Sequence, residues 1–169
     1  MIEFQKMSEA EYLQFRKFSV YEYAKDLMNG ENLDRETALK KAESEFGEML
    51  YDGPDTEDHF VMTIRDVQRG KEVGWIWYCY ETDEEDKQQV FLCDFLIFEN
   101  ERRKGYASAA LAEMERRAKA DGGTAAALFV WDHNAAGAAL YKVRIRSGRT
   151  GFWRSHNEKT ALRCDPEMN

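Results

Sequence analysis

The most constraining stretch of this chain is an apolar run, Val90 to Phe98, interrupted by Asp94, that passes without a spacer into Glu99-Asn100-Glu101-Arg102-Arg103-Lys104-Gly105. The next residues, Gly105 to Ala120, are rich in alanine and carry Leu111, Met114 and Ala118 at helical spacing, and Asp121-Gly122-Gly123 ends them. A second apolar run, Ala125 to Val130, follows, and Asn134 to Tyr141 reads as a short helix. Strand, helix, strand and helix in that order form a βαβ-like unit, so the strands 89–98 and 125–130 are expected to lie parallel.

Upstream the pattern differs. Ser8-Glu9-Ala10-Glu11 has the spacing of a capping box and opens a segment with Tyr12, Phe15, Phe18 and Tyr23 at near-helical intervals. The reading is a helix to about Met28, stopped at Asn29-Gly30. A second helix, capped by Asp34, carries Ala38, Leu39, Ala42, Phe46 and Leu50 on one face. Two helices thus precede any strand in this reading. After the turn-rich Tyr51-Asp52-Gly53-Pro54-Asp55, the runs Phe60–Arg65, Val73–Tyr80 and Gln89–Phe98 are rich in β-branched and aromatic residues, which predicts an antiparallel meander. The acidic Glu81 to Asp86 reads as a solvated hairpin tip. The expectation is one α/β (α+β) domain over residues 1–169, with a mixed, mostly antiparallel sheet.

Composition narrows the partners. The net charge of −8 removes the footprint expected of a nucleic-acid binder. No apolar run approaches the roughly 20 residues of a membrane span. No basic segment leads into an apolar one at the N-terminus, so the expectation is a cytoplasmic protein. Cys79, Cys93 and Cys164 are odd in number and never spaced as CxxC, which argues against a disulfide framework and a zinc site; all three read as small hydrophobes, and no metal is expected.

Chemistry concentrates at the join between the run 90–98 and the helix after it. A helix start offers unpaired N–H groups and the positive end of the dipole, which suits a pyrophosphate. Gly105 lets the backbone approach such a ligand, Ala107 is small for the same reason, and Arg102, Arg103 and Lys104 form the densest basic cluster of an acidic chain. An ordinary helix start with solvated cations is the plainer reading. GxxxxGK[ST] and GxGxxG are both absent, so neither a Walker loop nor a dinucleotide fingerprint is present.

Arg102-x-x-Gly105-x-Ala107 after an apolar strand resembles the R/Q-x-x-G-x-G/A loop of the GNAT acetyltransferases, and Asn134 with Ala138, Leu140 and Tyr141 resembles that family's N-x-x-A-x-x-L-Y helix with the alanine shifted by a residue. The resemblance spans at least residues 60–141. The helical start, Val73-Gly74-Trp75-Ile76-Trp77 and Asp94-Phe95 are similar to a subgroup of bacillar GNAT proteins.

The resemblance implies a GNAT-like fold, acetyl-CoA as cofactor and N-acetyl transfer to a primary amine of a small molecule or peptide, within a ternary complex. It implies that the backbone N–H groups of Arg103, Lys104, Gly105, Tyr106, Ala107 and Ser108 hold the pyrophosphate, with Arg102 heading the motif. Leu96 and Ile97 pair with the pantetheine arm, the strands 89–98 and 125–130 splay around it, and Asn134 contacts it. Tyr141 stands where the family often places the acid that protonates the departing thiolate, a sensible match of a phenol of pKa about 10 to a thiol of pKa about 8.5; an aromatic that only packs is the bland alternative. An amine of pKa about 10.4 must also lose a proton, and Asp94 is the candidate base, with Glu72 and Glu81 behind it. Asp94 as a structural acceptor, His133 as a base or a loop residue, and Trp75, Trp77 and Trp131 as core or cleft lining complete the set. A non-catalytic acyl-CoA sensor and a protein-interaction patch are the competing functions, and a homodimer is left open.

The tail departs from the family. GNAT chains follow L-Y with about three residues and then G-F, whereas here Tyr141 is followed by Lys142-Val143-Arg144-Ile145-Arg146-Ser147-Gly148-Arg149-Thr150 before Gly151-Phe152, which makes residues 143–169 atypical. A genuine insertion is one reading. A shifted reading frame is the other: codons for Val143 to Gly148 such as GTA CGG ATT CGA AGC GGG read Tyr-Gly-Phe-Glu-Ala-Gly when entered one base later. Similar codons for Asn157 to Arg163 read Met-Lys-Lys-Arg-Leu and stop. An unbroken frame at the native locus would dismiss that second reading.

Overall fold

The structure is a computed structural model and describes residues 1–82, 88–128, 130, 134, 137, 139–140 and 153–155. Its elements in chain order are β1 (Ile2–Lys6), α1 (Glu9–Glu31), α2 (Arg35–Met49), β2 (His59–Asp66), β3 (Lys71–Thr82), β4 (Gln88–Ile97), α3 (Tyr106–Ala120), β5 (Ala125–Leu128) and β6 (Trp153–Ser155). The strands form one sheet in sequence order. Pairs β1–β2, β2–β3 and β3–β4 are antiparallel, and β4–β5 and β5–β6 are parallel. The meander and the parallel pair of the expected βαβ unit are therefore present.

Two differences concern the N-terminal third. A strand, β1, precedes the helices and pairs with β2 along its whole length. It alternates half-buried Ile2 and buried Phe4 with exposed Glu3, Gln5 and Lys6, the pattern of an edge strand whose charges discourage further pairing. Helix α1 also runs past Asn29-Gly30, the stop expected from the sequence, to Glu31, with Asn32 as its C-cap in the left-handed conformation at φ 56. Lys41 of α2 pairs with Glu31 and holds that last turn in place.

The capping box at Ser8 forms as expected: the Ser8 N–H donates to Glu11 Oε2 at 2.7 Å, and the Glu11 N–H donates to Ser8 Oγ at 3.3 Å. The other oxygen of Glu11 accepts from Thr63 Oγ1 at 3.2 Å, so one carboxylate caps α1 and ties it to β2. Asp34 caps α2 through the N–H groups of Glu36 and Thr37.

The sheet divides the core. On one face α3 lays Ala110, Leu111, Met114 and Ala118 against Ile64, Val73, Ile76, Tyr78, Val90 and Leu92. On the other, α1 and α2 bring Phe15, Leu27, Ala42 and Phe46 onto Trp77 and Val61. Phe15 meets Trp75 and Trp77 edge-on, with centroids 5.8 and 6.2 Å apart. These tryptophans are packing residues on the α1 side; Trp131 lies outside the described residues.

Register within the sheet slips once between β3 and β4. Trp77 faces Asp94 but Tyr78 faces Leu92, which leaves Cys93 as the extra residue of a β-bulge. Leu92 and Phe95 both belong to the α3 face. The two residues between them, Cys93 and Asp94, both turn toward α1 and α2: Cys93 packs with that cluster, and Asp94 bonds to Ser19 of α1.

Near the far end of β4 the backbones crowd. A Cβ on Gly74 would stand 2.1 Å from the Leu96 carbonyl oxygen. Gly74→Ala should therefore destabilise the fold by about 1–3 kcal/mol through forced separation of β3 and β4, measured as a lower midpoint in chemical denaturation.

Candidate active site

Parallel pairing of β4 with β5 covers only Gln89 to Leu92 against Ala125 to Leu128. β4 continues five residues further, from Cys93 to Ile97, with β3 on one side and no β5 partner among the described residues. Leu96 and Ile97 lie in this stretch of β4, and the continuation of the run 125–130 at residue 129 and beyond at 131–133 lies outside the described residues.

Beyond Ile97 a 3-10 turn, Glu99–Glu101, leads into Arg102, Arg103 and Lys104 and then the N-cap Gly105. Arg103 at φ 63 and Gly105 at φ 85 are both left-handed, which winds the backbone into a tight turn at the mouth of α3. Gly105 has no side chain to cap the helix, and a Cβ added there would meet no protein atom within 4 Å. The first-turn amides of α3, from Tyr106 onward, face out of the helix end by helix geometry. Glycine is thus favoured by the conformation, and the space in front of it is open.

Cations of the turn are held inward. The carboxylate of Glu101, only 2% exposed, accepts from Arg69 Nη1 at 2.7 Å, Lys71 Nζ at 2.5 Å and Lys104 Nζ at 3.0 Å. These three cations hold the Glu101 carboxyl well below the usual carboxylate range. Arg102 Nε donates to the Ile97 carbonyl at 3.0 Å, bracing the turn against the end of β4. Tyr106 donates to Asp66 and accepts from Arg69 at 3.0 Å, which fixes α3 to the β2–β3 turn. Of this exposed basic cluster, neither Arg102 nor Arg103 forms an ion pair among the described residues, and Arg102 is engaged with the Ile97 carbonyl.

Asp94 sits on the α1 side of the bulge. The residue keeps some exposed surface, but its carboxyl end is withdrawn from water, and this desolvation pushes it up to about 6. The buried Ser19 hydroxyl donates to Asp94 Oδ2 and opposes that rise, as does the Phe95 N–H, whereas the charges of Asp26 and Glu22 on α1 add to it. Ser19 was missed by sequence reasoning, although a hydroxyl at an inward position of an amphipathic helix, between Phe15 and Tyr23, was a readable signal.

The other candidate bases are elsewhere. Trp77 pairs with Asp94, and Glu72 and Glu81 lie five and four residues from it along β3, or about 16 and 13 Å at strand rise. Glu72 is exposed, and Glu81 accepts from Gln89 Nε2 at 2.7 Å. Exposed Asn134 accepts from the Gly137 N–H at 2.9 Å, as the cap of a short helical turn. Tyr141 and His133, the tail 142–152 and 156–169, and the tip 83–87 lie outside the described residues. Strand β6, by contrast, brings Trp153 to Ser155 alongside β5, parallel to it.

Comparison with known proteins decides the family. The profile of the acetyltransferase (GNAT) family matches residues 20–144. The chain belongs to the GNAT family. Among curated GNAT relatives, the uncharacterized N-acetyltransferase YdgE of Bacillus subtilis is 31% identical over 136 residues, covering 80% of this chain and 85% of YdgE. YycN of the same organism is 28% identical over 146 residues, covering 86% and 88%. The YycN crystal structure superposes with a TM-score of 0.78 at 27% identity, over 96% of this chain and all of that one. An acetyl transferase from Pyrococcus furiosus, 18% identical with a TM-score of 0.62, shares the fold. This GNAT chain is accordingly an acetyltransferase, and the family match ends where the atypical tail begins.

Glu101→Gln should lower the melting temperature at pH 7. A carboxyl held below its ordinary value stabilises the folded state above about pH 4.5 and loses that contribution as pH falls. The gap between variant and parent should therefore narrow in melts below pH 4.5.

Proposed function

We propose that this enzyme moves an acetyl group from acetyl-CoA directly to a primary amine of a small molecule or peptide, with donor and acceptor bound together. The observation that carries the reading is the left-handed glycine turn that opens onto α3, standing beyond the point where the described pairing of β4 with β5 ends. Acetyl-CoA fits this arrangement because the open space in front of Gly105 and the outward amides of α3 suit a pyrophosphate, while the stretch of β4 from Cys93 to Ile97, which has no β5 partner among the described residues, suits an extended arm. When bound, the cofactor supplies an activated thioester.

The chain's own residues divide the remaining work. The backbone of residues 103–108 binds the diphosphate, with Arg103 adding exposed positive charge. Leu96 and Ile97 line the arm. Arg102 and Lys104 shape the turn, since their cationic groups are engaged with Ile97 and Glu101. Asp94 takes the proton of the incoming ammonium, directly or through water, at a carboxyl whose raised value suits a base working near neutrality. Ser19 holds that carboxylate in one orientation. Asn134 as a cofactor contact and Tyr141 as the acid for the leaving thiolate rest on the family resemblance. Among the described residues no helix is long and apolar enough to cross a membrane, and a cytoplasmic setting fits this reading.

Calorimetric titration with acetyl-CoA should give one site, with a rise in melting temperature set by ligand selectivity for the folded state. Gly105→Val, which fills the space before α3 and forces a β-branched residue to φ 85, should abolish that heat while the protein still melts cooperatively. Unchanged affinity would remove the assignment of the turn.

Asp94→Asn should leave acetyl-CoA affinity within about twofold and lower kcat by about 10²–10⁴-fold. In the parent, kcat/KM should rise with pH through about 6, because only the deprotonated carboxylate accepts the amine's proton. A variant with unaltered kcat would return Asp94 to a structural role.

A further inference from the structure

On the α1 and α2 face of the sheet, three metal-ligating side chains converge from adjacent strands. His59 of β2 stands directly opposite Cys79 of β3. The bulge in β4 turns Cys93 to the same face, where its Sγ lies 3.5 Å from Cys79 Sγ. One ligand atom from each of the three residues lies within 4.8 Å of the other two. Neither cysteine is part of a disulfide. Cys79 is fully buried, whereas His59 and Cys93 keep some exposed surface, which leaves an approach from one side.

We propose that His59, Cys79 and Cys93 bind one thiophilic d¹⁰ cation, Zn²⁺, with three protein ligands and an open fourth position. Zinc–thiolate bonds of about 2.3 Å at a tetrahedral angle set two sulfurs about 3.8 Å apart, so the observed 3.5 Å needs only a small adjustment. Two thiolates would balance the charge of the ion, and a set of two sulfurs and one imidazole favours zinc over magnesium or calcium. All three ligands stand on paired strands, so the site needs no loop to order around the metal.

Trp77 provides a built-in reporter. Its indole N–H now donates to His59 Nδ1 at 3.0 Å. Ligation through Nδ1 takes the lone pair that the indole uses, and ligation through Nε2 sends the ring proton to Nδ1. Either route breaks this hydrogen bond. The site is independent of the acetyl-transfer reading, because none of its residues is assigned to cofactor or acceptor.

Reduced, full-length protein titrated with Zn²⁺ against a chromophoric chelator should bind one equivalent. Co²⁺ as the probe should give a thiolate-to-metal charge-transfer band in the near ultraviolet, together with a change in tryptophan fluorescence that saturates at one equivalent. Cys93→Ser and His59→Gln, both at partly exposed positions, should weaken binding at least tenfold and reduce these signals, while their metal-free melting temperatures show that they fold. Cys164→Ser should retain all of them. The proposal is overturned by the absence of a thiolate band, by equal affinity in Cys93→Ser, or by loss of binding in Cys164→Ser. Oxidation to a Cys79–Cys93 disulfide with no metal uptake at any concentration up to the chelator's limit would also overturn it.

Discussion

One inserted residue in β4 determines much of what this sheet can do. Without the bulge at Cys93, strict alternation would send Asp94 to the α3 face, among Leu111, Met114 and their neighbours, where a carboxylate has no partner. With it, two consecutive side chains turn toward α1, and Asp94 finds the Ser19 hydroxyl. The bulge also lies where, among the described residues, pairing with β5 ends. The position of the carboxylate is a consequence of a single register slip.

The electrostatics of the turn before α3 follow a different logic from a simple basic patch. An acidic chain concentrates Arg102, Arg103 and Lys104 there, yet Glu101 binds Lys104 as well as Arg69 and Lys71 from another turn. Much of the positive charge is spent on fixing the loop. In the proposed binding of a diphosphate, what remains beside Arg103 is carried by backbone amides and the helix dipole, whose strength depends on orientation rather than on a count of lysines. A rigid turn is what gives that orientation.

Those elements whose signals are local could be read from the chain. Ser8-x-x-Glu11 and Asp34 mark their helices, the strand runs between 60 and 98 pair as their alternation implies, and Arg102-x-x-Gly105-x-Ala107 identifies the family. Other features depend on contacts distant in sequence. β1 is five residues long and two of them are charged, so it is recognisable as a strand mainly by its partner β2. Gly30 stays helical in a turn where Glu31 pairs with Lys41 of α2, a contact between helices. The bulge cannot be seen in the one-dimensional pattern, since Cys93-Asp94 looks like a simple lapse in hydrophobicity. For the same reason the Ser19–Asp94 pair, and the approach of His59, Cys79 and Cys93, stayed hidden: each joins residues of different elements through the sheet. CxxC spacing detects metal sites built on a turn and is blind to those built across strands.

Glu11 shows how tightly the helical layer is coupled to the sheet. Its two oxygens serve different elements, one closing the first turn of α1 and the other receiving a hydrogen bond from Thr63 in β2. Fraying of that turn therefore cannot proceed as a local event, because it strips an acceptor from a buried hydroxyl in the sheet. The helix start and the middle of β2 belong to one cooperative opening unit. The position of Ser19, two turns further along the same helix, is thus guarded from the thermal motion that usually begins at helix ends.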